Sequence, residues 1–243
     1  MARATLKVKL LAATPNAQQI VAMGAKLCYS AANLDDLQQG VEAKDQQKYL
    51  EKLVDMGHLS PIEHASFTFG VEGVSRALLA QITRHRIASF SVQSQRYVGK
   101  ANTADGFDYI LPPAIEALGE EAVAEFDAQM RQMHAWYTTW VDRLGNAGQS
   151  SNEDARFVLP NASETKMVIT MNARELLHFF KLRCCNRAQW EIRDLAWQML
   201  KLAQQQAPYL FAAAGPGCID GACPEGKMSC GKMAEVRQYR KEL

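Results

Sequence analysis

The sequence predicts an α+β fold, and three observations carry that expectation. Helix-period and strand-period stretches are mixed along the chain, with only a few separated strands. No strand-to-helix turn carries Gly-x-Gly-x-x-Gly, so a Rossmann-type parallel sheet is not expected. A length of 243 residues, 48% of them hydrophobic, fits one large domain or two small ones with a substantial core. We expect a single compact domain over residues 1–215 and an irregular Gly/Cys-rich tail over 216–243.

The elements follow in order. Leu6-Lys7-Val8-Lys9-Leu10 alternates and predicts a strand with one wet face. Thr14-Pro15 predicts a helix start with Thr14 as cap, running towards Tyr29. A polar helix is expected from about Asp35 to Met56, closed by Gly57. Ser60-Pro61-Ile62-Glu63 has capping-box spacing and predicts a short helix or turn. Phe67, Phe69 and Val71 alternate with smaller residues, so Ser66 to Val74 reads as a strand. Ser75 to about His85 reads as a helix with Leu78, Leu79 and Ile82 as its stripe, followed by an extended segment.

Leu111-Pro112-Pro113 breaks the chain before a long helical region from Ala114 to about Leu144, in two pieces around Gly119. Ser151-Asn152-Glu153-Asp154 predicts the cap of a short helix that stops before Pro160. Lys166 to Met171 is β-prone. Asn172-Ala173-Arg174-Glu175 is a capped helix start, and a further helix covers about Ala188 to Ala207. No internal repeat is present.

Composition excludes several classes. Lys plus Arg, 27, balances Asp plus Glu, 26, which argues against a dedicated nucleic-acid binder with a broad basic face. No apolar run is long enough to span a bilayer, and the charged N-terminus does not read as a signal peptide, so a cytoplasmic protein without membrane contact is expected. Six cysteines in such a chain read as reduced thiols. Cys218, Cys223 and Cys230 lack both close Cys-x-x-Cys pairing and a histidine, so no metal site is expected.

The segment from Arg84 to Tyr97 is the most informative. Arg84, Arg86, Arg96 and His85 crowd together with three serines and two glutamines in a chain of net charge +1. Such cations repel one another unless an anion sits between them, so phosphate groups are the expected ligand.

Arg84-His85-Arg86, seven residues, then Ser94 resembles the signature of the flavin-dependent thymidylate synthases. The resemblance extends upstream through His58-Leu59-Ser60-Pro61-Ile62-Glu63-His64 and Phe67-Thr68-Phe69. It resumes at Arg156-Phe157-Val158-Leu159-Pro160, Asn172-Ala173-Arg174, Leu182-Arg183 and Gln189-Trp190-Glu191, covering roughly Leu6 to Leu210. It implies that family's own fold and a homotetramer with active sites between subunits. It implies reductive methylation of dUMP to dTMP, with methylenetetrahydrofolate giving the carbon, FAD the hydride and NADPH reducing the flavin.

By the same resemblance Arg183 is the catalytic residue, stabilising negative charge on the uracil. Gln81, Arg84, Ser94, Gln95, Arg96, Arg156 and Arg183 are implied at dUMP. His58, Ser60, Arg84, His85, Arg86, Asn172, Arg174 and His178 are implied at FAD. Arg174 and His178 lie four apart on one helix and so share a face. Gln81 lies one turn before Arg84 and should share its face. Without the resemblance Arg183 reads as a cation on a helix dipole, Arg156 as a salt-bridge partner, His178 as a core histidine and Ser60 as a cap. Glu63 and His64 read as structural. Many relatives carry Asn-Glu where Ser91-Val92 stand, so Val92 offers only backbone and packing there.

Two other functions remain as alternatives. An RNA-binding module would use the arginines on phosphates with Phe90 and Tyr97 stacking. A metal-dependent regulator would be centred on the tail cysteines.

Overall fold

The computed structural model describes residues 1–101 and 106–243. The architecture is α+β, as the sequence predicts, with ten α-helices among the described residues and one four-stranded antiparallel sheet. The strands are β1 (Lys7–Ala13), β2 (Ser66–Ser75), β3 (Ala88–Val92) and β4 (Glu164–Asn172), in the order β1-β2-β4-β3. No helix among the described residues is long and apolar enough to cross a membrane.

The chain divides into two compact units, each built from separate segments. The first comprises Met1–Lys7, Val71–Arg84 and Phe90–Val168. It holds α4 (Arg76–Ile82), α5 (Pro113–Glu116), α6 (Glu120–Arg143) and α7 (Gln149–Ala155). Gly119, at φ 102°, separates α5 from α6 as expected. Phe107, Tyr109 and Met130 form one core cluster, and Tyr137, Val141 and Ala155 another. Gly73 has φ +72°, and a Cβ there would lie 1.9 Å from the Thr5 carbonyl oxygen, so only glycine fits this turn of the backbone.

The second unit comprises Val8–Gly70, His85–Ser89 and Ile169–Leu243. It holds α1 (Ala17–Leu27), α2 (Leu34–Glu42), α3 (Gln47–Asp55), α8 (Ala173–Arg183), α9 (Trp190–Gln206) and α10 (Met233–Lys241). Its core includes Phe67, Phe180 and Phe211, whose rings meet edge-on with centroids 5.4 Å and 5.9 Å apart.

Five local expectations are corrected. Thr14 does not cap α1: Asn16 stands at the cap in left-handed conformation, and the Thr14 hydroxyl accepts from the Ser66 amide at 2.9 Å instead. The polar helix expected from Asp35 to Met56 is two helices. The buried Gln46 amide donates to the Val41 and Lys44 carbonyls, both at 2.7 Å, and so satisfies the break between them. Ser60 makes no capping bond to the 3₁₀ turn Pro61–His64. Ser151 lies inside α7 rather than at its cap, and its hydroxyl donates to the Leu144 carbonyl. The tail is not wholly irregular: it ends in α10, whose buried Arg240 donates to the Phe211, Ala212 and Ala214 carbonyls.

Candidate active site

Helix α8 carries the candidate residues of the second unit on two stripes. Its start is set by Asn172, whose Oδ1 accepts from the Glu175 amide at 2.9 Å, the cap the sequence predicts. Glu175, Phe179 and Arg183 recur every four residues and share one face. His85 packs across that face. Its ring meets Phe179 edge-on at 5.0 Å, its Nδ1 lies 3.0 Å from Glu175 Oε1, and Arg183 Nε donates to its Nε2 at 3.1 Å. A ring nitrogen that accepts carries no proton, so the imidazole is the neutral Nδ1–H tautomer and donates to the carboxylate. Burial holds the His85 pKa below its ordinary value; the Glu175 hydrogen bond opposes this and the nearby Arg183 charge adds to it. Both His85 and Glu175 are buried, at 5% and 7% exposure.

The neighbouring stripe is Arg174, His178 and Lys181, at i, i+4 and i+7. These three line an open groove of about 620 Å³ with Asn172, Glu63, Leu59, Ile87 and Leu177. His178 is exposed in the groove rather than in the core. Arg174 Nη1 donates to Glu63 Oε1 at 2.5 Å. Both side chains are about half exposed, 52% and 45%, and such pairs contribute only about 0–1 kcal/mol. An incoming anion can therefore take the arginine from Glu63. His58 and Ser60 are exposed on either side of Leu59, and exposed Arg86 precedes Ile87.

The first unit holds the other candidates. Gln95 and Arg156 line an open groove of about 400 Å³ together with Arg76, Phe157 and Asn161. Arg76 Nη2 donates to the Gln93 carbonyl at 3.3 Å, tying α4 to the segment that leads into Ser94 and Gln95. Its Nε is buried without a partner. Burial first, and the Arg156 charge second, lower the Arg76 pKa. Two guanidiniums crowded in this way favour an anion between them. Arg156 Nε itself donates to the Glu153 carbonyl at 3.0 Å.

Ser94 Oγ accepts from the Arg96 amide at 3.1 Å and the Tyr97 amide at 3.4 Å, which shapes this segment into a turn. Arg96 pairs with Glu153 at 2.6 Å and, with the Gln149 amide oxygen turned towards it, with Gln149 at 2.8 Å. Gln81 lies in the last turn of α4, and Arg84 is exposed just beyond it. Gln81, Arg84, Ser94 and Arg96 are not among the residues lining the Arg76–Arg156 groove.

Sequence reasoning missed Arg76, Lys181 and Glu175. Lys181 was open to a periodicity argument, three residues after His178. Arg76 and Glu175 owe their places to partners distant along the chain, which no local pattern reports. Cys184 is buried, and burial raises its thiol pKa well above normal, so it is a poor nucleophile. Among the described residues no three His, Cys, Asp or Glu side chains converge to hold a metal.

An α+β fold without a Rossmann turn, carrying grooves lined by Arg76 and Arg156 and by Arg174, His178 and Lys181, defines a class of protein suited to anionic ligands. The family model described as thymidylate synthase complementing protein matches residues 9–209. The flavin-dependent thymidylate synthase of Geobacter sulfurreducens is 50% identical over 238 residues, covering 98% of this chain and 99% of its own. That of Clostridium tetani is 47% identical over 244 residues, covering 96% of each chain. Among solved structures, thymidylate synthase X from Helicobacter pylori with FAD and dUMP has the same fold. It aligns with a TM-score of 0.64 at 24% identity, over 85% of this chain and 97% of its own. The chain belongs to the flavin-dependent thymidylate synthase family.

Proposed function

We propose that this chain converts dUMP to dTMP by reductive methylation. Methylenetetrahydrofolate supplies the carbon and NADPH the reducing equivalents. The observation that carries the reading joins the family signature to the catalytic candidate: His85, centre of the Arg84-His85-Arg86 triplet, accepts a hydrogen bond from Arg183.

The residues of the second-unit groove fit FAD. Leu59, Ile87 and Leu177 give apolar walls for a flat ring, and Arg174, His178 and Lys181 give cations for a pyrophosphate. His58, Ser60, Arg84, Arg86 and Asn172 complete the proposed FAD set. His85 joins it through its backbone, because its ring is committed to Glu175 and Arg183. When bound, the flavin supplies the hydride.

The protein's own residues bind and orient the substrate. Arg76, Gln95 and Arg156, with Gln81, Arg84, Ser94 and Arg96, are the proposed dUMP residues; the guanidiniums take the phosphate dianion. Arg183 places a fixed cation where negative charge develops on the uracil, and a cation already oriented need not reorganise as that charge forms.

The active assembly is a cytoplasmic homotetramer. The side chains of Trp136 and Trp140 on α6, and of Leu144 at its C-terminal cap, recur every four residues and are exposed as an apolar stripe of the kind that subunit contact covers. Light scattering of the purified protein tests the assembly.

The absorption spectrum tests the flavin reading. Flavin bands in the protein as purified, or after incubation with FAD and removal of the excess, support it. A spectrum without them after that incubation overturns it.

A further inference from the structure

We propose that Glu175 and His85 form a buried positioning chain that fixes the guanidinium of Arg183. The inference rests on the catalytic reading of Arg183 and deepens it. Glu175 Oε1 accepts the proton that His85 carries on Nδ1, at 3.0 Å. That bond leaves Nε2 unprotonated, so its lone pair meets the Nε–H of Arg183 at 3.1 Å. The alternative tautomer would set N–H against N–H at the same distance, and a doubly protonated ring would set cation against cation.

Three features make the chain a means of orientation rather than an incidental contact. Glu175 and His85 are 93–95% buried, so water does not compete for either bond. Phe179, on the same stripe of α8, holds the imidazole edge-on at 5.0 Å and limits its rotation. The bond to Arg183 engages Nε, the nitrogen joined to the side-chain stem, and so fixes one in-plane direction of the guanidinium close to its root. The His85 bond therefore restrains the orientation in which Arg183 meets a ligand.

Glu175 and His85 are positioning residues: they act through Arg183 and need not touch substrate. Glu175→Gln keeps the volume and removes the charge. A glutamine can also donate to Nδ1, so it no longer dictates the tautomer. We expect kcat to fall about tenfold or more, with dUMP affinity changed less than about threefold, because the lost orientation matters where charge develops.

The test is a double-substitution cycle with a separate spectroscopic readout. In Arg183→Ala enzyme, adding Glu175→Gln should lower kcat by less than about twofold, since the residue it acts through is gone. His85→Gln, whose amide oxygen can reach the place of Nε2, should retain more activity than His85→Ala. In ¹⁵N-labelled wild-type protein, His85 should show an unprotonated Nε2 and a protonated Nδ1, and Glu175→Gln should change that pattern. Loss of the His85 signal in His85→Gln assigns it.

Full-sized loss on adding Glu175→Gln to Arg183→Ala would overturn the proposal, as would a wild-type His85 protonated on Nε2. If the Gln variants do not fold, the wild-type tautomer alone decides, with the His85 signal assigned through its through-space contact to the Phe179 ring. A wild-type protein that makes no dTMP but shows the Nδ1–H tautomer would sink the activity and leave this geometry standing.

Discussion

Arg183 and His85 lie 98 residues apart in the chain, yet the Nε of one donates to the Nε2 of the other at 3.1 Å. His85 belongs to the arginine-rich triplet and Arg183 to the last turn of α8, so one bond links the two sequence regions in which a nucleotide site was expected. It also makes the charge state of a buried histidine a condition for the orientation of the proposed catalytic cation.

Arg183→Ala should therefore lower catalysis steeply, to a small measurable residue, while leaving flavin in place. Loss of a preoriented charge-stabilising donor costs about 10²–10³ in kcat. Steady-state dTMP formation measures the loss, and the flavin absorption of the same sample should match wild type.

Acidification should weaken both the site and the fold. Burial lowers the folded-state pKa of His85, so the folded protein favours the neutral ring. The resulting stability is complete above the unfolded histidine pKa of about 6.5 and is lost as pH falls below it towards the folded value. Glu175, His178 and Arg183 are the charged or titratable neighbours acting on the ring. The melting temperature and kcat should both fall as pH is lowered below about 6.5, and the fall should be smaller in His85→Gln.

Arg76→Gln should weaken dUMP binding. Its guanidinium crowds Arg156 in the first-unit groove and has a buried Nε without a partner. Loss of a charge-assisted bond of about 1.5–3 kcal/mol corresponds to a roughly 10- to 150-fold rise in Kd. Calorimetry with dUMP and with deoxyuridine separates the phosphate contribution: the variant should lose affinity for the first and little for the second.

Arg240→Met should destabilise the second unit from its C-terminal end. The buried guanidinium satisfies the carbonyls of Phe211, Ala212 and Ala214, which the thioether cannot do. Leaving buried carbonyls unsatisfied costs about 1–3 kcal/mol each where no relaxation occurs. Urea denaturation should show a lower midpoint, with flavin binding retained at low urea.

The elements that sequence made legible are those written in local periodicity. β2 is read from Phe67, Phe69 and Val71 on one face, and α8 from Asn172 at its cap and the apolar residues behind it. Gly119 marks the break between α5 and α6 because its positive φ suits glycine. The break between α2 and α3 escaped notice because its stabiliser is the Gln46 side chain folding back on two carbonyls, and glutamine is an ordinary helix residue. α10 escaped because the Gly/Cys-rich segment before it dominates the reading of the tail.

The candidate site was legible in the same uneven way. Arg174 and His178 share a groove as their spacing predicts. Glu175 looked like the acidic partner of a helix cap. Its oxygen instead serves a histidine 90 positions earlier, a contact that only the folded chain creates.

The most direct measurement is formation of dTMP by the purified, FAD-loaded protein given dUMP, methylenetetrahydrofolate and NADPH. The account predicts dTMP only when all three are present, and its near-complete loss in Arg183→Ala. A flavin-loaded wild-type protein that forms no dTMP from the complete mixture, or an Arg183→Ala variant as active as wild type, would contradict it.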